Sequence, residues 1–364
     1  MPKPLDPAQF VSASPPSSGE ATQLHTLALA SGVQIAITNL GAKVLQILVP
    51  DRAGQLDDVT LGYESIHAVR RGAASMGAFI GRYANRIANA NFSLGGETHQ
   101  LTANEGPHCL HGGIAGSRHR VFASAQAAPN HVTMRYTFAD GEEGFPGELP
   151  LRVDYILEAP ATLRIVYRAG PASRATVASF TSHIFFNLAG TARSDVLEHR
   201  FQIDADHFLV ADSTKIPTGD IRQVWGTHMD LTARRILAEA LLREEPQLAL
   251  TNPRGFDHAY VCRSAGVKAE ALQRNACVIE PRTGRTLEVW STEPSVQFYT
   301  GQMLGASAEP DIGKGGLQHL AYSAFCLEPQ RFPDAPNQAA FPSAVLAQGE
   351  SMDGEIQYRF GVDA

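Results

Sequence analysis

The sequence contains few cysteines, and none of them has the spacing of a metal or disulfide motif. The chain of 364 residues has four, without a C-x-x-C pair: Cys109, Cys262, Cys277 and Cys326. Closely spaced pairs are the usual sign of a thiolate zinc site, and dense cysteines indicate a disulfide framework. We therefore expect neither, and predict four reduced thiols, as is typical of a cytoplasmic protein.

Long apolar runs and clusters of positive charge are also missing. No segment approaches the roughly 20 apolar residues that span a bilayer. The amino-terminal segment MPKPLDPAQFVSASPPSSGEA is rich in proline and serine and lacks the apolar core of a secretion signal. Because the formal net charge is -7, phosphate backbones and anionic lipids would repel the chain. The sequence predicts a cytoplasmic protein with no nucleic-acid or membrane partner and a neutral small molecule as substrate.

Alternation of apolar and polar residues is the dominant pattern in the chain. In His131–Phe138 every second residue is apolar, and the same period recurs in 151–157 and 163–167. A period of two is typical of half-buried β-strands. The 32 glycines and 22 prolines supply turn residues between such runs. Apolar residues at helical spacing are found over 232–245, and Pro246 ends that run.

These patterns predict an all-β protein. Strands that follow one another without crossover helices pair in antiparallel fashion, so we expect a large antiparallel β-sandwich with few short helices. No linker or internal repeat divides the chain. We predict one domain over 23–364, preceded by a loosely ordered lead-in over 1–22, and a protein that is a monomer or a weak homodimer.

The first candidate for chemistry is Glu328, which ends the apolar run 321–327 and precedes Pro329. At a period of two its side chain shares a face with Tyr322, Ala324 and Cys326. A carboxylate at the mouth of an apolar sheet loses water, which raises its pKa and makes it a candidate base. The alternative is a glutamate at a strand end in a solvated loop, because most glutamates are exposed.

The second candidate is His183, in the predicted strand 180–188, where it shares a face with Phe185 and Asn187. Histidine titrates near neutral pH, so it can donate and accept a proton without much tuning of its pKa. A hydrogen-bonded structural histidine is the alternative interpretation.

Arginines and histidines lie among glycines in two further segments, 77–87 and 104–113. Glycine lets the backbone approach a ligand closely, and an arginine can bind neighbouring hydroxyls in a fixed geometry. His108 and His111 have H-x-x-H spacing, but no carboxylate helix motif accompanies them, so we predict no metal site. Two weaker signals, 255–258 and 295–301, place Asp257 and Gln297 beside aromatic residues, which suits recognition of a sugar.

Taken together in chain order, these segments and several others resemble those of the aldose 1-epimerase (galactose mutarotase) family. The resemblance extends over most of the chain. It is carried by 41–42, 57–63 (DDVTLGY), 81–87, 110–113 (LHGG), 141–147 (GEEGFPG), 183–190, 216–219 (IPTG), 256–258 (FDH), 325–328 (FCLE) and 333–338 (PDAPNQ).

The resemblance implies the galactose mutarotase-like supersandwich, a sugar substrate and no cofactor. It implies that Glu328 is the general base, that His183 is the general acid and that His111 is a second active-site histidine. Asn85, Arg86, Asp257 and Gln297 match positions that contact substrate hydroxyls. The family usually has N-H-x-Y-F-N-L around the acid, whereas this chain has Ser182 before the histidine and Phe185 in place of the tyrosine. Both departures bear on the sugar preference.

The activity that the resemblance implies is the interconversion of the α and β anomers of a free aldose such as galactose or glucose, and three alternatives to it remain at this point. Asp257 and Glu328 could be the paired carboxylates of a glycoside hydrolase. The same fold could serve a non-catalytic sugar-binding protein, although such a chain should have lost the acid or the base. An epimerase of sugar phosphates would need cations at the pocket rim, for which Arg82, Arg118 and Arg120 are the candidates.

Overall fold

The computed structural model describes residues 3–12, 21–191, 195–263, 271–306 and 311–363. Two short α-helices occur in these ranges, α1 (Ile66–Arg71) and α2 (Leu237–Leu241). No helix in the described part of the chain is long and apolar enough to cross a membrane. Single 3-10 turns cover Pro7–Phe10, Ala88–Ala90, Ser117–His119, Glu142–Gly144, Gln247–Leu250, Lys314–Gly316 and Ala335–Asn337.

Strands make up most of the remaining secondary structure. In chain order they are β1 (Leu24–Ala28), β2 (Gln34–Thr38), β3 (Lys43–Pro50), β4 (Leu56–Asp58), β5 (Ala78–Ile80), β6 (Arg86–Ile87), β7 (Asn91–Leu94), β8 (Glu97–Gln100), β9 (Cys109–Leu110), β10 (Ala123–Ala128), β11 (His131–Phe138), β12 (Leu149–Glu158), β13 (Thr162–Ala169), β14 (Thr176–Val177), β15 (Thr181–His183), β16 (Arg200–Ile203), β17 (Ala205–Ala211), β18 (Pro217–Gln223), β19 (Arg235–Ile236), β20 (Asp257–Cys262), β21 (Gln273–Ile279), β22 (Arg285–Ser291), β23 (Ser295–Tyr299), β24 (Cys326–Gln330), β25 (Val345–Leu346) and β26 (Met352–Val362).

The strands form three main sheets. A nine-stranded sheet has the order β10-β11-β12-β13-β26-β22-β21-β16-β19, a five-stranded sheet has the order β18-β17-β20-β23-β24, and a four-stranded sheet joins β1 to β4 in sequence order. The neighbouring strands pair in antiparallel fashion, for example β12 with β13 and β23 with β24. The prediction of an antiparallel all-β fold is confirmed.

The sheets enclose one core because each presents its apolar face to it. In β12 the side chains of Val153 and Tyr155 are buried, while those between and beside them are more exposed. Ile165 of the nine-stranded sheet and Phe298 of the five-stranded sheet belong to the same cluster of buried side chains. Burying an apolar side chain of this size is worth about 1.5–3 kcal/mol, so this shared core holds the sandwich together.

Two predicted elements are shorter in the structure than in the sequence pattern. The helix expected over 232–245 forms only as α2, because Arg235–Ile236 instead pairs with β16 at the edge of the large sheet. Leu242, directly after α2, is 82% exposed, so extending the helix past Leu241 would not bury this apolar side chain. The strand expected over 180–188 ends at His183, after which Phe186 makes isolated bridges to Thr60 and Phe325.

Part of the predicted lead-in lies within the described residues. Asp6 caps the turn Pro7–Phe10 through its side chain, and Phe10 is fully buried in a cluster with Leu45 and Tyr63. Residues 1–2 and 13–20 lie outside the described residues. The division into a lead-in over 1–22 and a domain over 23–364 stays a prediction.

Candidate active site

A pocket of about 290 Å³ collects the candidate residues of the sequence. This volume is near the lower end of the roughly 300–1,000 Å³ that is typical of small-molecule sites, so it suits a ligand as small as a monosaccharide. All seven predicted site residues line it: Asn85, Arg86, His111, His183, Asp257, Gln297 and Glu328.

One wall of the pocket is the five-stranded sheet, and strand register places its polar groups. Gln297 on β23 lies directly opposite Glu328 on β24, and Asp257 begins β20 on the other side of β23. The Gln297 amide donates to Asp257 Oδ1 at 2.7 Å. Because opposite residues in an antiparallel pair share a face, three polar side chains from distant parts of the chain converge here.

Glu328 lies inside β24, a strand that is buried on both faces, and is only 3% exposed. The alternative of a solvated glutamate at a strand end is therefore wrong. Loss of water and the nearby negative charge of Asp257 raise the pKa of the Glu328 carboxyl well above its usual value. The desolvated carboxyl group that the sequence pattern indicated is present.

His183 faces this carboxyl group from β15. Its Nε2 is 3.7 Å from Glu328 Oε2, which is too long for a direct hydrogen bond and leaves both groups able to approach a ligand. Phe185 stacks on the imidazole with ring centroids 5.0 Å apart. Burial lowers the pKa of His183 to about 4, so the free imidazole is neutral at neutral pH.

Gly77 permits the close packing behind His183. Its backbone N–H donates to the His183 carbonyl oxygen at 2.8 Å, and its φ of +71° lies in the left-handed region. A Cβ atom on this residue would come within 1.8 Å of the Val44 carbonyl oxygen. Only glycine fits here without moving the backbone of β3, which packs beside it.

His111 is the second imidazole in the pocket, and its ring centroid is 5.2 Å from that of His183. The backbone N–H of Asn85 donates to His111 Nδ1 at 3.2 Å, so the neutral ring carries its proton on Nε2 and can donate from there. Burial lowers the pKa of His111 well below its usual value. Asn85 and His111 both have positive φ, of 62° and 54°, which is a conformation concentrated at functional sites.

His108 does not join His111 in this site. Its Nδ1 instead accepts a hydrogen bond from the backbone N–H of Asn89 at 3.1 Å, and it is not among the residues that line the pocket. The H-x-x-H spacing therefore does not bring the two rings to one ligand.

Arg86 is held rigidly at the pocket wall by a partner that the sequence did not single out. Glu105 accepts from Arg86 Nε at 2.5 Å and from Nη2 at 2.9 Å, a two-pronged contact that fixes the plane of the guanidinium. Asp257 Oδ2 lies 3.9 Å from Nη1 on the other side. Glu105 is in the quoted segment 104–113, but nothing in the sequence pairs it with Arg86.

Cys326 was also missed as a neighbour of His183. All four cysteines are free and buried, and Cys326 Sγ is 3.6 Å from His183 Nδ1. His183, Cys326 and Glu328 offer three metal-ligand atoms within 4.8 Å of one another. Burial raises the pKa of the thiol and of the carboxyl, so a metal would first have to displace both protons. The cluster suits the handling of protons better than the binding of a cation.

The three candidate rim arginines have different environments. Arg82 is 1% exposed, and it donates to the Pro146 and Gly147 carbonyl oxygens in the interior. Arg120 Nη2 pairs with Glu142 at 3.0 Å. Arg118 is the member of the trio that lines the pocket.

The two residues that depart from the family's usual sequence around His183, Ser182 and Phe185, have different positions in the fold. Phe185 lines the pocket, whereas Ser182 is fully buried and is not among the lining residues. Tyr358 OH donates to the Ser182 carbonyl oxygen at 3.2 Å. Phe185 is therefore the substitution that a ligand would contact.

Known proteins are similar to this chain in both sequence and fold. The family model described as Aldose 1-epimerase matches residues 23–359. The galactose mutarotase of Bos taurus is 37% identical over 330 residues, which cover 91% of this chain and 92% of the relative. The aldose 1-epimerase of Escherichia coli (strain K12) is 32% identical over 344 residues, which cover 94% and 96%.

Solved structures show the same fold. A GalM/aldose epimerase homologue from C. elegans superposes with a TM-score of 0.85 at 28% identity, and covers 94% of this chain and 100% of its own. Galactose 1-epimerase from Lactobacillus acidophilus NCFM superposes with a TM-score of 0.81 at 22% identity, over 96% and 97% of the two chains. The protein described here belongs to the aldose 1-epimerase family, and is accordingly an isomerase.

Proposed function

We propose that this protein interconverts the α and β anomers of a free aldose, such as galactose or glucose, by opening and reclosing the sugar ring. The observation that carries the proposal is the separation of 3.7 Å between Glu328 Oε2 and His183 Nε2 in one buried pocket. Ring opening removes a proton from the C1 hydroxyl and adds one to the ring oxygen. Because both oxygens are bonded to C1, the groups that serve them have to be neighbours.

Glu328 is the general base in this mechanism, and it takes the proton of the C1 hydroxyl. His183 is the general acid, and it protonates the ring oxygen as the C1–O bond breaks. His111 donates a hydrogen bond from Nε2 to the same oxygen and so stabilises the charge that develops there. After rotation about the C1–C2 bond the ring closes on the other face of the aldehyde, with the two roles exchanged.

The remaining four residues are assigned to the sugar hydroxyls. Gln297 and Asp257 are hydrogen-bonded to each other, and Arg86 is fixed by Glu105, so these polar groups are ordered before the sugar arrives. The side-chain nitrogen Nδ2 of Asn85 makes no hydrogen bond within the described residues, which leaves it available to a hydroxyl. Ordered donors lower the entropy that binding costs.

The protonation of the pair predicts an unusual pH profile. In the empty pocket the pKa of Glu328 is raised and that of His183 is lowered to about 4, so a proton shared by the pair is held by the carboxyl more strongly, and by the imidazole more weakly, than in water. When one proton passes from Glu328 to His183, the pair becomes a carboxylate that can act as base and an imidazolium that can act as acid. No proton needs to be exchanged with solvent for this step. Below about pH 4 the pair takes up a second proton on the imidazole, so Glu328 cannot become the carboxylate that acts as base. Above the raised pKa of Glu328 the pair loses its one proton, so His183 has no proton to donate as acid.

We therefore expect an acidic limb of kcat/KM near pH 4, set by His183, and a basic limb set by the raised pKa of Glu328. Anomer exchange measured by NMR across the pH range would give the profile, and the 13C shift of the Glu328 carboxyl carbon should titrate with the basic limb. An imidazole of His183 that titrates near 6.5, its ordinary value, would contradict this assignment.

The test of the proposed function compares free sugars with glycosides. The optical rotation of freshly dissolved α-galactose should reach its equilibrium value faster with the protein present than without it, and glucose, xylose and arabinose extend the panel. Methyl galactoside, whose C1 oxygen carries no proton, should remain unchanged. A glycoside hydrolase would instead release free sugar from the methyl galactoside. In the presence of a non-catalytic binding protein, the optical rotation of every sugar would change at its uncatalysed rate.

We also propose that the protein acts in the cytoplasm as a monomer or a weak homodimer. The four free cysteines agree with a reducing compartment. The proposed mechanism requires no group from a second chain and no cofactor, since both proton-transfer groups come from the same pocket.

A further inference from the structure

Cys326 and Glu328 place one polar group at each ring nitrogen of His183. Both residues belong to β24, and they are two positions apart, so their side chains lie on the same face of that strand. Cys326 Sγ is 3.6 Å from His183 Nδ1, and Glu328 Oε2 is 3.7 Å from His183 Nε2. Phe185 stacks on the flat side of the same ring. One strand and one aromatic ring therefore fix how the imidazole is oriented.

The sulfur of Cys326 reaches His183 from behind the pocket. Cys326 is fully buried, and it is not among the residues that line the pocket. Burial, and then the negative charges of Glu328 and Asp257, raise the pKa of its thiol well above the ordinary value, so the sulfur remains a neutral S–H group. A neutral thiol is a weak donor and also a weak acceptor. The contact with Nδ1 can therefore have either direction.

The route of the transferred proton determines that direction. Nε2 is the ring nitrogen of His183 that faces Glu328, so it receives the proton of the carboxyl group and passes it to the ring oxygen of the sugar. A neutral imidazole carries one hydrogen, and an Nε2 that is able to accept a proton leaves this hydrogen on Nδ1. Nδ1 then keeps its hydrogen in the neutral ring and in the imidazolium, and it needs an acceptor in both states.

The backbone of His183 favours the same tautomer. Burial lowers the pKa of His183 to about 4, and a hydrogen bond to its own carbonyl oxygen partly opposes this lowering. A carbonyl oxygen can only accept, and Nδ1 is the ring nitrogen nearer to the backbone. The carbonyl oxygen and the sulfur of Cys326 are therefore two acceptors on the Nδ1 side of the ring.

Sulfur is a suitable acceptor here because it is weak and uncharged. A carboxylate at Nδ1, as in a Ser-His-Asp triad, stabilises the imidazolium and so raises the pKa of the histidine. A neutral sulfur holds the ring in place without adding charge, and the low pKa that burial gives to His183 is kept. The imidazolium then remains a strong acid toward the ring oxygen.

We propose that Cys326 is a positioning residue for His183, whose Nδ1–H donates to the sulfur, so that the neutral imidazole keeps a bare Nε2 facing Glu328. No bond to sulfur forms or breaks, and the transferred proton moves from Glu328 to Nε2 and then to the ring oxygen. The proposal rests on the proposed function, because the direction of the contact follows from that route. It gives the two pocket histidines opposite tautomers, since Nδ1 of His111 accepts a hydrogen bond.

The first test needs neither a variant of Cys326 nor a sugar. In 15N-labelled wild-type protein at neutral pH, Nδ1 of His183 should show the chemical shift of a nitrogen that carries hydrogen, and Nε2 that of a bare nitrogen. The spectrum of His183→Asn, which lacks both signals, assigns them. Hydrogen on Nε2 would overturn the proposal. A protein that has the expected tautomer but exchanges no sugar would instead overturn the proposed function, so the two failures are distinguishable.

The second test changes the acceptor. Cys326→Ala should lower kcat for galactose by about 3- to 10-fold, the effect of one lost hydrogen bond, and change KM less than about twofold, because the sulfur does not line the pocket. Both tautomers of His183 should then be populated, which averages the two 15N shifts. Cys326→Ser keeps a neutral acceptor, and should restore the single tautomer and give a kcat between those of Cys326→Ala and the wild type.

Cys262→Ala is the matched control for the loss of a buried thiol. Cys262 is 3% exposed, and its Sγ accepts from Asn275 Nδ2 at 3.1 Å, outside the pocket. This variant should lose stability but keep the kcat and the His183 tautomer of the wild type. If Cys326→Ala behaved in the same way, with a lower stability and an unchanged kcat and tautomer, Cys326 would only fill space and the proposal would be overturned.

Discussion

Glu328→Gln should lower kcat for galactose anomer exchange by roughly 10²- to 10⁴-fold, the range in which one positioned proton-transfer group contributes. Glutamine has nearly the same shape and can still accept a hydrogen bond from the C1 hydroxyl, but it cannot take up the proton. Binding should therefore change little while the chemical step fails. Polarimetry of freshly dissolved α-galactose gives kcat, and calorimetry on the variant gives the affinity for the sugar.

Glu293→Gln provides the matched control for this substitution. Glu293 is 2% exposed, its pKa is raised by burial, and its side chain contacts Tyr167 OH outside the pocket. The same change at a second buried carboxyl should leave kcat near the wild-type value in the folded fraction. A Glu328→Gln protein with a near-normal rate, or a Glu293→Gln protein with an equal loss, would contradict the role of Glu328 as base.

His183→Asn should cause a loss of similar size, about 10²- to 10⁴-fold in kcat, because the ring oxygen would have to leave without a proton. His111 remains in this variant, but its Nδ1 already accepts from the Asn85 backbone N–H, and burial and the charges of Arg118 and Arg86 lower its pKa well below its usual value. It therefore cannot replace the acid. NMR exchange between the two anomers measures the loss down to slow rates.

His199→Asn controls for the removal of a buried imidazole. His199 is 1% exposed, and its Nε2 accepts from the Leu188 backbone N–H at 3.1 Å, away from the pocket. Its loss should affect stability and leave kcat unchanged. The double variant Glu328→Gln/His183→Asn should be little slower than either single variant, since groups that act as one unit are not additive. Fully additive losses would mean that the two residues act independently.

Much of the fold could be predicted from local pattern. The alternation in 131–138 and 151–157 matches β11 and β12, because a strand that buries one face must repeat every second residue. The helix over 232–245 was overestimated for the same local reason. Apolar spacing there is compatible with a helix, but the backbone of Arg235–Ile236 gains strand hydrogen bonds from β16, a neighbour that the local sequence does not reveal.

The site was predicted less evenly. Glu328 and His183 could be singled out by their place in apolar strands, but the seven predicted residues were assigned to one site through the family resemblance, and a pattern of single residues would not have joined Asn85 to Glu328. Arg82, Arg86 and Arg118 are equivalent by residue type, yet Arg82 donates to carbonyl oxygens in the interior, Arg86 is paired with Glu105, and Arg118 lines the pocket with no carboxylate in ion-pair contact among the residues that the structure describes. Nothing within a few positions of each arginine distinguishes these three environments.

Residue types and their periodicity settle which segments become strands and which side chains are able to exchange protons, because both depend on covalent structure and on near neighbours in the chain. The direction of each pKa shift arises only on folding. Glu328 becomes a weak acid and His183 a weak base because each loses water and gains charged neighbours from other strands. Burial and distance are properties of the assembled sheets, so the pairing of these two groups across the pocket is a consequence of the tertiary structure.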